Sequence, residues 1–327
     1  MTWIDPELAA GLDGVPSHLR PTELFDFDDM PGTRARLAGL YEAAFGSATK
    51  NEQVVTDELV VSGPVGAPEL TLRVHRPADA PDDPLPCVYW IHGGGMVIGR
   101  PVDEDAKCQQ LVEALHCVAL VPDYRLAPEH PYPAPVDDCY HGLSWVAANA
   151  GALGIDADRI AVAGQSAGGG LTASVALMAR DRGGPALVLQ MLLAPMLDDR
   201  NATPSCRGLP ALTIWDRPMN VRGWGAFLGE LAGAEQLPPY ASPGRVEDLS
   251  RLPPTFVDVG GAEIFRDETI DYVARLVRGG VPTELHLYAG AYHGYDSFAP
   301  DADASRATWE RRRAALRRAF EPRRGSA

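Results

Sequence analysis

Three groups of residues in this chain stand where acyl-transfer chemistry would need them. Ser166 lies in Gly164-Gln165-Ser166-Ala167-Gly168, the Gly-x-Ser-x-Gly pattern of a serine raised on a sharp strand-to-helix turn. A hydroxyl attacks a carbonyl only if it projects clear of its neighbours, and small residues on either side leave room for that. A helix opening at Ala167 would aim its first N–H groups at the charge that develops on the attacked oxygen. His92-Gly93-Gly94-Gly95 is a second source of such donors. Consecutive glycines let the main chain approach a ligand closely, and a preorganised donor at an oxyanion is worth about 10²–10³ in rate. His293, in Ala291-Tyr292-His293-Gly294-Tyr295, is the residue type suited to take the serine proton and hand it to a leaving group.

A further group must hold that imidazole in one tautomer. Asp258, Glu263 and Asp267 compete for the role. Asp258 falls inside an apolar run, so its side chain is expected to be locked in a sheet. Asp267 begins a helix, where an N-cap role accounts for it. Glu263 lies in the loop between and is the favoured acid, with the other two left open. The oxyanion donors are expected from Gly94, Gly95 and Ala167, with Gly93 shaping the turn. This chemistry needs no metal and no organic cofactor, and no paired His or carboxylate spacing suggests a ligand set.

The elements that must position these residues are legible as short, wholly apolar runs. They are Cys87 to Ile91, Val118 to Val121, Ile160 to Ala163, Leu187 to Leu192 and Thr255 to Val259. A further strand reads Thr283 to Tyr288, just before His293. Helical stretches such as Asp103 to His116 and Ala167 to Arg182 alternate with the runs. Strands apolar on both faces and alternating with helices predict an α/β fold around a mostly parallel, doubly wound sheet, whose site lies beyond the carboxyl ends of its strands. From Glu69, Leu70, Leu72 and Val74 alternate with Thr71 and Arg73, which predicts a half-buried antiparallel strand near a sheet edge. Residues 1 to about 50 read as helical pieces broken by Pro16, Pro21 and Pro31. Residues 196 to about 250 contain Trp215, Met219, Trp224 and Phe227 but no clear strand. A structureless loop of that length would be unusual. The interval is therefore expected to be a helical insertion over the site, with those four side chains against the substrate. The expected organisation is one domain over residues 1–327, with cap elements at about 1–50 and 196–250.

Charge and cysteine usage exclude several function classes. The formal net charge of −15 repels phosphate backbones and anionic lipid, so neither nucleic acid nor membrane is an expected partner. The exception is a run holding Arg311, Arg312, Arg313, Arg317 and Arg318, read as the solvated face of a last helix that turns Trp309, Leu316 and Phe320 inward. Cys87, Cys108, Cys117, Cys139 and Cys206 form no CxxC pair and are expected to be free buried thiols. Neither an export signal nor an apolar span of membrane length is seen, and the default expectation is a cytoplasmic protein.

With these pieces in order, the chain resembles the hormone-sensitive-lipase-like branch of the α/β-hydrolases. The resemblance rests on His92-Gly93-Gly94-Gly95, Asp123-Tyr124-Arg125-Leu126-Ala127-Pro128-Glu129-His130, Gly164-Gln165-Ser166-Ala167-Gly168-Gly169, Phe265-Arg266-Asp267-Glu268 and His293-Gly294, from about residue 85 to 297. It implies an α/β-hydrolase fold with a helical cap. It also implies a serine carboxylesterase that cleaves short- to medium-chain acyl esters of small molecules through an acyl-enzyme, often as a homodimer. The family's acid slot falls on Glu263, and the segment from Tyr124 to Glu129 is a structural signature. Two positions depart from the pattern. Many relatives carry Asp or Glu where this chain has Gln165, which keeps hydrogen bonding but loses a charge. Many also read Asp-Pro-Leu-Arg-Asp-Glu where this chain has Glu263-Ile264-Phe265-Arg266-Asp267-Glu268, a glutamate in the aspartate slot, so Asp258 stays open. Acyl transfer to an alcohol, or amide or lactone hydrolysis, would use the same site. A non-catalytic ligand-binding protein on this fold would have lost the nucleophile or the base, and this chain retains both.

Overall fold

The fold is that of a computed structural model, which describes residues 3–13, 25–45, 51–209 and 215–321. Eight strands form one sheet: β1 Val54–Val61, β2 Leu70–Pro77, β3 Leu85–Ile91, β4 Val118–Pro122, β5 Ile155–Gln165, β6 Leu189–Leu193, β7 Thr255–Gly260 and β8 Thr283–Tyr288. Their spatial order is β1-β2-β4-β3-β5-β6-β7-β8. The first three neighbours pair antiparallel and the rest run parallel. The helices are α1 Pro6–Asp13, α2 Met30–Phe45, α3 Asp105–Leu115, α4 Ala134–Ala148, α5 Ala167–Arg182, α6 Pro204–Gly208, α7 Arg217–Leu228, α8 Arg266–Arg278, α9 Tyr295–Phe298 and α10 Asp303–Phe320.

The two-residue period of a strand explains why the central runs are apolar throughout. Cys87, Tyr89 and Ile91 of β3 join one core cluster, and Val88 and Trp90 join another on the opposite face. Val118 and Leu120 divide from Ala119 and Val121 in the same way, as do Ile160 and Val162 from Ala161 and Ala163. Helices then cover both faces. Val136, Cys139, Leu143 and Val146 of α4, with Leu171, Val175 and Met178 of α5, pack on the first. Cys108, Leu111 and Val112 of α3, with Ala315, Leu316 and Phe320 of α10, pack on the second. Fully burying one such Leu or Val side chain stabilises the fold by about 1.5–3 kcal/mol.

Several expectations are corrected here. Strand β1 went unread, because Asp57 and Glu58 interrupt its apolar pattern; only its end residues Val54 and Val61 are buried. The helix α4 also went unread. Pro31 does not break a helix but occupies the first turn of α2, where a missing N–H costs nothing. Pro16, Pro21 and residues 210–214 lie outside the described residues. Arg312 is not on a solvated face: it is 1% exposed and bonded to Asp258 and Asp296. The five cysteines are free and buried. Among the described residues, no helix is long and apolar enough to cross a membrane.

Candidate active site

The turns after β3, β5, β7 and β8 converge at the carboxyl ends of the strands. Ser166 follows β5 directly, with φ 58° and ψ −122°, a backbone region that a non-glycine residue rarely visits. Three main-chain hydrogen bonds hold it there. The Ser166 N–H donates to Leu193 O at 2.8 Å, and the Ser166 carbonyl accepts from Gly170 at 3.0 Å and Met196 at 3.0 Å. The turn also requires a close approach: a Cβ on Gly168 would stand 2.0 Å from Ile91 O. Ser166 occupies the N-cap position of α5, yet its side chain does not cap the helix. The hydroxyl instead lies 3.0 Å from His293 Nε2.

His293 comes from the loop after β8. Its Nδ1 lies 2.6 Å from Glu263 Oε2, and the other carboxylate oxygen of Glu263 accepts the Gly260 N–H at 2.7 Å. The Phe265 ring closes edge-on against the imidazole, with centroids 5.1 Å apart. A carboxylate that accepts from Nδ1–H leaves Nε2 as an acceptor facing the serine hydroxyl, the arrangement that draws off its proton.

The glycine turn after β3 stands beside the elbow. A Cβ on Gly93 would come 3.0 Å from Gln165 O and 3.5 Å from the Ser166 Cβ. Gly94 and Gly95 have φ of 113° and 61°, which side chains disfavour. The Gly94 carbonyl accepts from Val97 at 3.1 Å and Ile98 at 3.0 Å, closing the turn. His92 stacks on Tyr124 with centroids 4.1 Å apart, and the Tyr124 hydroxyl donates to His92 O at 3.0 Å. Burial pushes the His92 pKa down, so the neutral ring donates from Nδ1 to Gly93 O at 2.8 Å. Arg34 of α2 braces the same turn, donating to Val97 O at 2.8 Å, to Ala127 O at 2.8 Å and to both Glu129 carboxylate oxygens at 2.7 Å. Tyr124, Ala127 and Glu129 of the signature segment thus support the turn from behind.

The competing carboxylates are engaged elsewhere. Asp258 accepts from Arg312 Nε at 2.7 Å and Nη2 at 3.1 Å. Asp267 is not the N-cap of α8, a position held by Phe265. It reaches across to accept the Ser205 N–H at 2.6 Å and Arg266 Nε at 2.7 Å. Burial would raise the Asp267 pKa, but Arg266 and Ser205 outweigh it and hold the group below its ordinary value. The stability it contributes is therefore present above the ordinary aspartate range and lost as pH falls through the lowered value. Asp267→Asn is expected to cost about 1 kcal/mol or less, since an amide oxygen still serves Ser205 and the pair lost with Arg266 is partly exposed. Urea unfolding with ester turnover checks this; a collapse of kcat in a stably folded variant would make Asp267 part of the chemistry.

Of the four insertion residues, Trp215 is nearest the glycine turn: a Cβ on Gly95 would lie 2.0 Å from its ring. Its Nε1 donates to Asn220 Oδ1 at 2.9 Å, and Asn220 donates to Asn201 Oδ1 at 2.6 Å. Met219 belongs to the same apolar cluster. Trp224 and Phe227 pack edge-to-face at 5.8 Å, and Phe227 meets Tyr132 at 5.9 Å. Arg34, Glu104, Lys107 and Asp296 went unread. Asp296 alone had a signal, three residues beyond His293 on the same turn; the others are brought in from distant segments.

This sheet, with an elbow serine, a histidine and a glycine turn at its carboxyl edge, defines an α/β-hydrolase. Residues 88–297 match a family model described as alpha/beta hydrolase fold. Esterase LipI of Mycobacterium tuberculosis is 36% identical over 320 residues, 96% of this chain and 94% of the relative. Carboxylesterase NlhH of the same organism is 38% identical over 78% of this chain and 80% of the relative. A solved structure, the bacterial heroin esterase, superposes with a TM-score of 0.91 at 38% identity, covering 98% of each chain. The chain belongs to the hormone-sensitive-lipase-like family of α/β-hydrolases. It is a carboxylic ester hydrolase, with the serine carboxylesterase activity of that family.

Proposed function

We propose that Ser166 is the nucleophile, His293 the general base and then acid, and Glu263 the group that orients and stabilises the imidazolium. Ser166 attacks the ester carbonyl as His293 takes its proton. The N–H groups of Gly94, Gly95 and Ala167 receive the oxyanion, and Gly93 shapes their turn. His293 protonates the departing alcohol and then activates the water that breaks the acyl-enzyme. The observation that carries this reading is the unbroken chain from Glu263 through His293 to Ser166, with contacts of 2.6 Å and 3.0 Å.

The substrate is read as a small-molecule ester with a short- to medium-length acyl chain. Trp215 beside Gly95, backed by Met219, Trp224 and Phe227, supports an apolar wall against it. The heroin esterase, by its name, acts on a small-molecule ester, which supports that part of the reading. The wider reading is one domain capped by elements in 1–50 and 196–250, cytoplasmic as its five free buried thiols support, and homodimeric by analogy with the family.

The test is covalent trapping. A fluorophosphonate should inactivate the enzyme with one phosphonyl group per chain, found by peptide mass spectrometry on Ser166, and a short-chain p-nitrophenyl ester should slow the inactivation. Stoichiometric label on another residue would overturn the nucleophile assignment.

A further inference from the structure

We propose that Gln165 is a positioning residue: its amide joins a partly buried hydrogen-bond chain that links the segments bearing Ser166, His293 and Glu263, and the joint works as an amide rather than as a carboxylate. This rests on the reading of those three residues given above. Gln165 ends β5, directly before Ser166. Its Nε2 donates to Asp296 Oδ1 at 3.4 Å, and its Oε1 accepts from Lys107 Nζ at 3.3 Å. Asp296 stands in α9, three residues beyond His293, and its second oxygen accepts from Arg312 Nη1 at 2.6 Å. Arg312 also grips Asp258, a residue of β7 two positions before Gly260, whose N–H holds Glu263. In the other direction, Lys107 donates to Glu104 Oε2 at 3.0 Å, which also accepts Trp90 Nε1 at 3.0 Å. Trp90 lies just before the glycine turn. One chain of contacts therefore touches the ends of β3, β5 and β7 and, through Asp296, the helix that follows His293. Trp90, Glu104, Asp258, Asp296 and Arg312 are all buried.

The chemistry of the two neighbours specifies the middle member. An ionised Asp296 only accepts and Lys107 only donates. Burial works against the charge on Asp296, but Arg312 and Lys107 outweigh it and hold the carboxyl below its ordinary value. The residue between must donate on one side and accept on the other, which a primary amide does. A carboxylate there would suit Lys107 but face Asp296 with like charge, and two touching carboxylates do not both stay ionised without cost. The cluster already sets Glu104, Asp258 and Asp296 against Lys107 and Arg312, so another negative charge has no partner of its own. The departure from Asp or Glu at this position thus follows from its surroundings.

A double-mutant cycle tests the proposal. Gln165→Glu and Asp296→Asn each break the match; together they restore it with the roles exchanged, the new amide donating to the new carboxylate while still accepting from Arg312. Turnover of p-nitrophenyl acetate is measured alongside thermal unfolding. Each single change is expected to lower kcat about tenfold or more with KM within about twofold, and the double variant to recover about tenfold relative to the product of the two losses. Losses that simply multiply overturn the proposal, as does a Gln165→Glu enzyme with kcat within about twofold of the parent. If the charged variant fails to fold, Gln165→Met removes both hydrogen bonds without adding charge; a folded Gln165→Met enzyme must show the same fall in kcat, and an undiminished kcat overturns the positioning role. Fluorophosphonate labelling of the parent separates the two readings. Label away from Ser166 overturns both, whereas label on Ser166 with multiplicative losses overturns only the role of Gln165.

Discussion

Ser166→Ala is expected to abolish ester hydrolysis, lowering kcat by about 10⁶ while leaving a protein that unfolds cooperatively. The methyl group offers no atom to form the acyl-enzyme, so His293 has no hydroxyl to deprotonate. What survives is the oxyanion turn and substrate binding, which alone leave a residual rate well above that in water. The fold should persist because the elbow is held by main-chain bonds to Leu193, Gly170 and Met196, none of which the substitution removes. The serine hydroxyl's side-chain contact is with His293, and alanine is no bulkier than serine. Single-turnover assays with a chromogenic ester, paired with a melting curve, check both halves. A folded variant that keeps about a hundredth of the parent kcat would remove Ser166 from the covalent step.

Glu263→Gln is the second large effect, an expected loss of about 10⁴ in kcat, the scale seen when such an acid becomes an amide. The reason lies in the two contacts of the carboxylate. One oxygen accepts the Gly260 N–H and the other faces His293 Nδ1. An amide has a single oxygen. Turned toward His293, it sets its NH₂ against the Gly260 N–H, donor against donor. Turned the other way, it presents NH₂ to Nδ1 and favours the tautomer whose proton sits on Nε2, pointing at Ser166 and unable to accept from it. Either orientation also withdraws the negative charge that stabilises the imidazolium. The loss should fall on kcat rather than KM, because the group does not line the substrate cavity in this reading. A Glu263→Gln enzyme retaining more than about a tenth of the parent kcat would shift attention to Asp258, whose carboxylate is otherwise accounted for by Arg312.

Much of the fold was legible because its signals are local. Thr283 to Tyr288 and Ala167 to Arg182 were read with the bounds they have in the structure. Their periodicity, the flanking glycines and the elbow pattern all act within a few residues. Where the local signal was mixed, reading failed. Val54–Val61 carries charges on its exposed middle, and its strand conformation comes from pairing with Leu70–Pro77, a contact between segments. The run around Arg312 shows the opposite error. The five arginines from Arg311 to Arg318 look solvated until their helix is found to cross the ends of β7 and α9, where one of them meets two buried carboxylates.

By itself, the sequence determined which residues could do the chemistry. An exposed serine on a strained turn needs small neighbours at fixed offsets, an oxyanion turn needs consecutive glycines, and both requirements are written in adjacent positions. The tertiary structure decided which carboxylate stands beside His293, and which charged groups flank Gln165. The three competing acids lie within ten positions of one another, and only the pairing of β7 with β8 and the packing of α6 and α10 give Asp258 and Asp267 other partners while leaving Glu263 in contact with the ring. Hydrogen bonding depends on distances of about 3 Å between groups far apart in the chain, and no spacing along the sequence encodes such a distance.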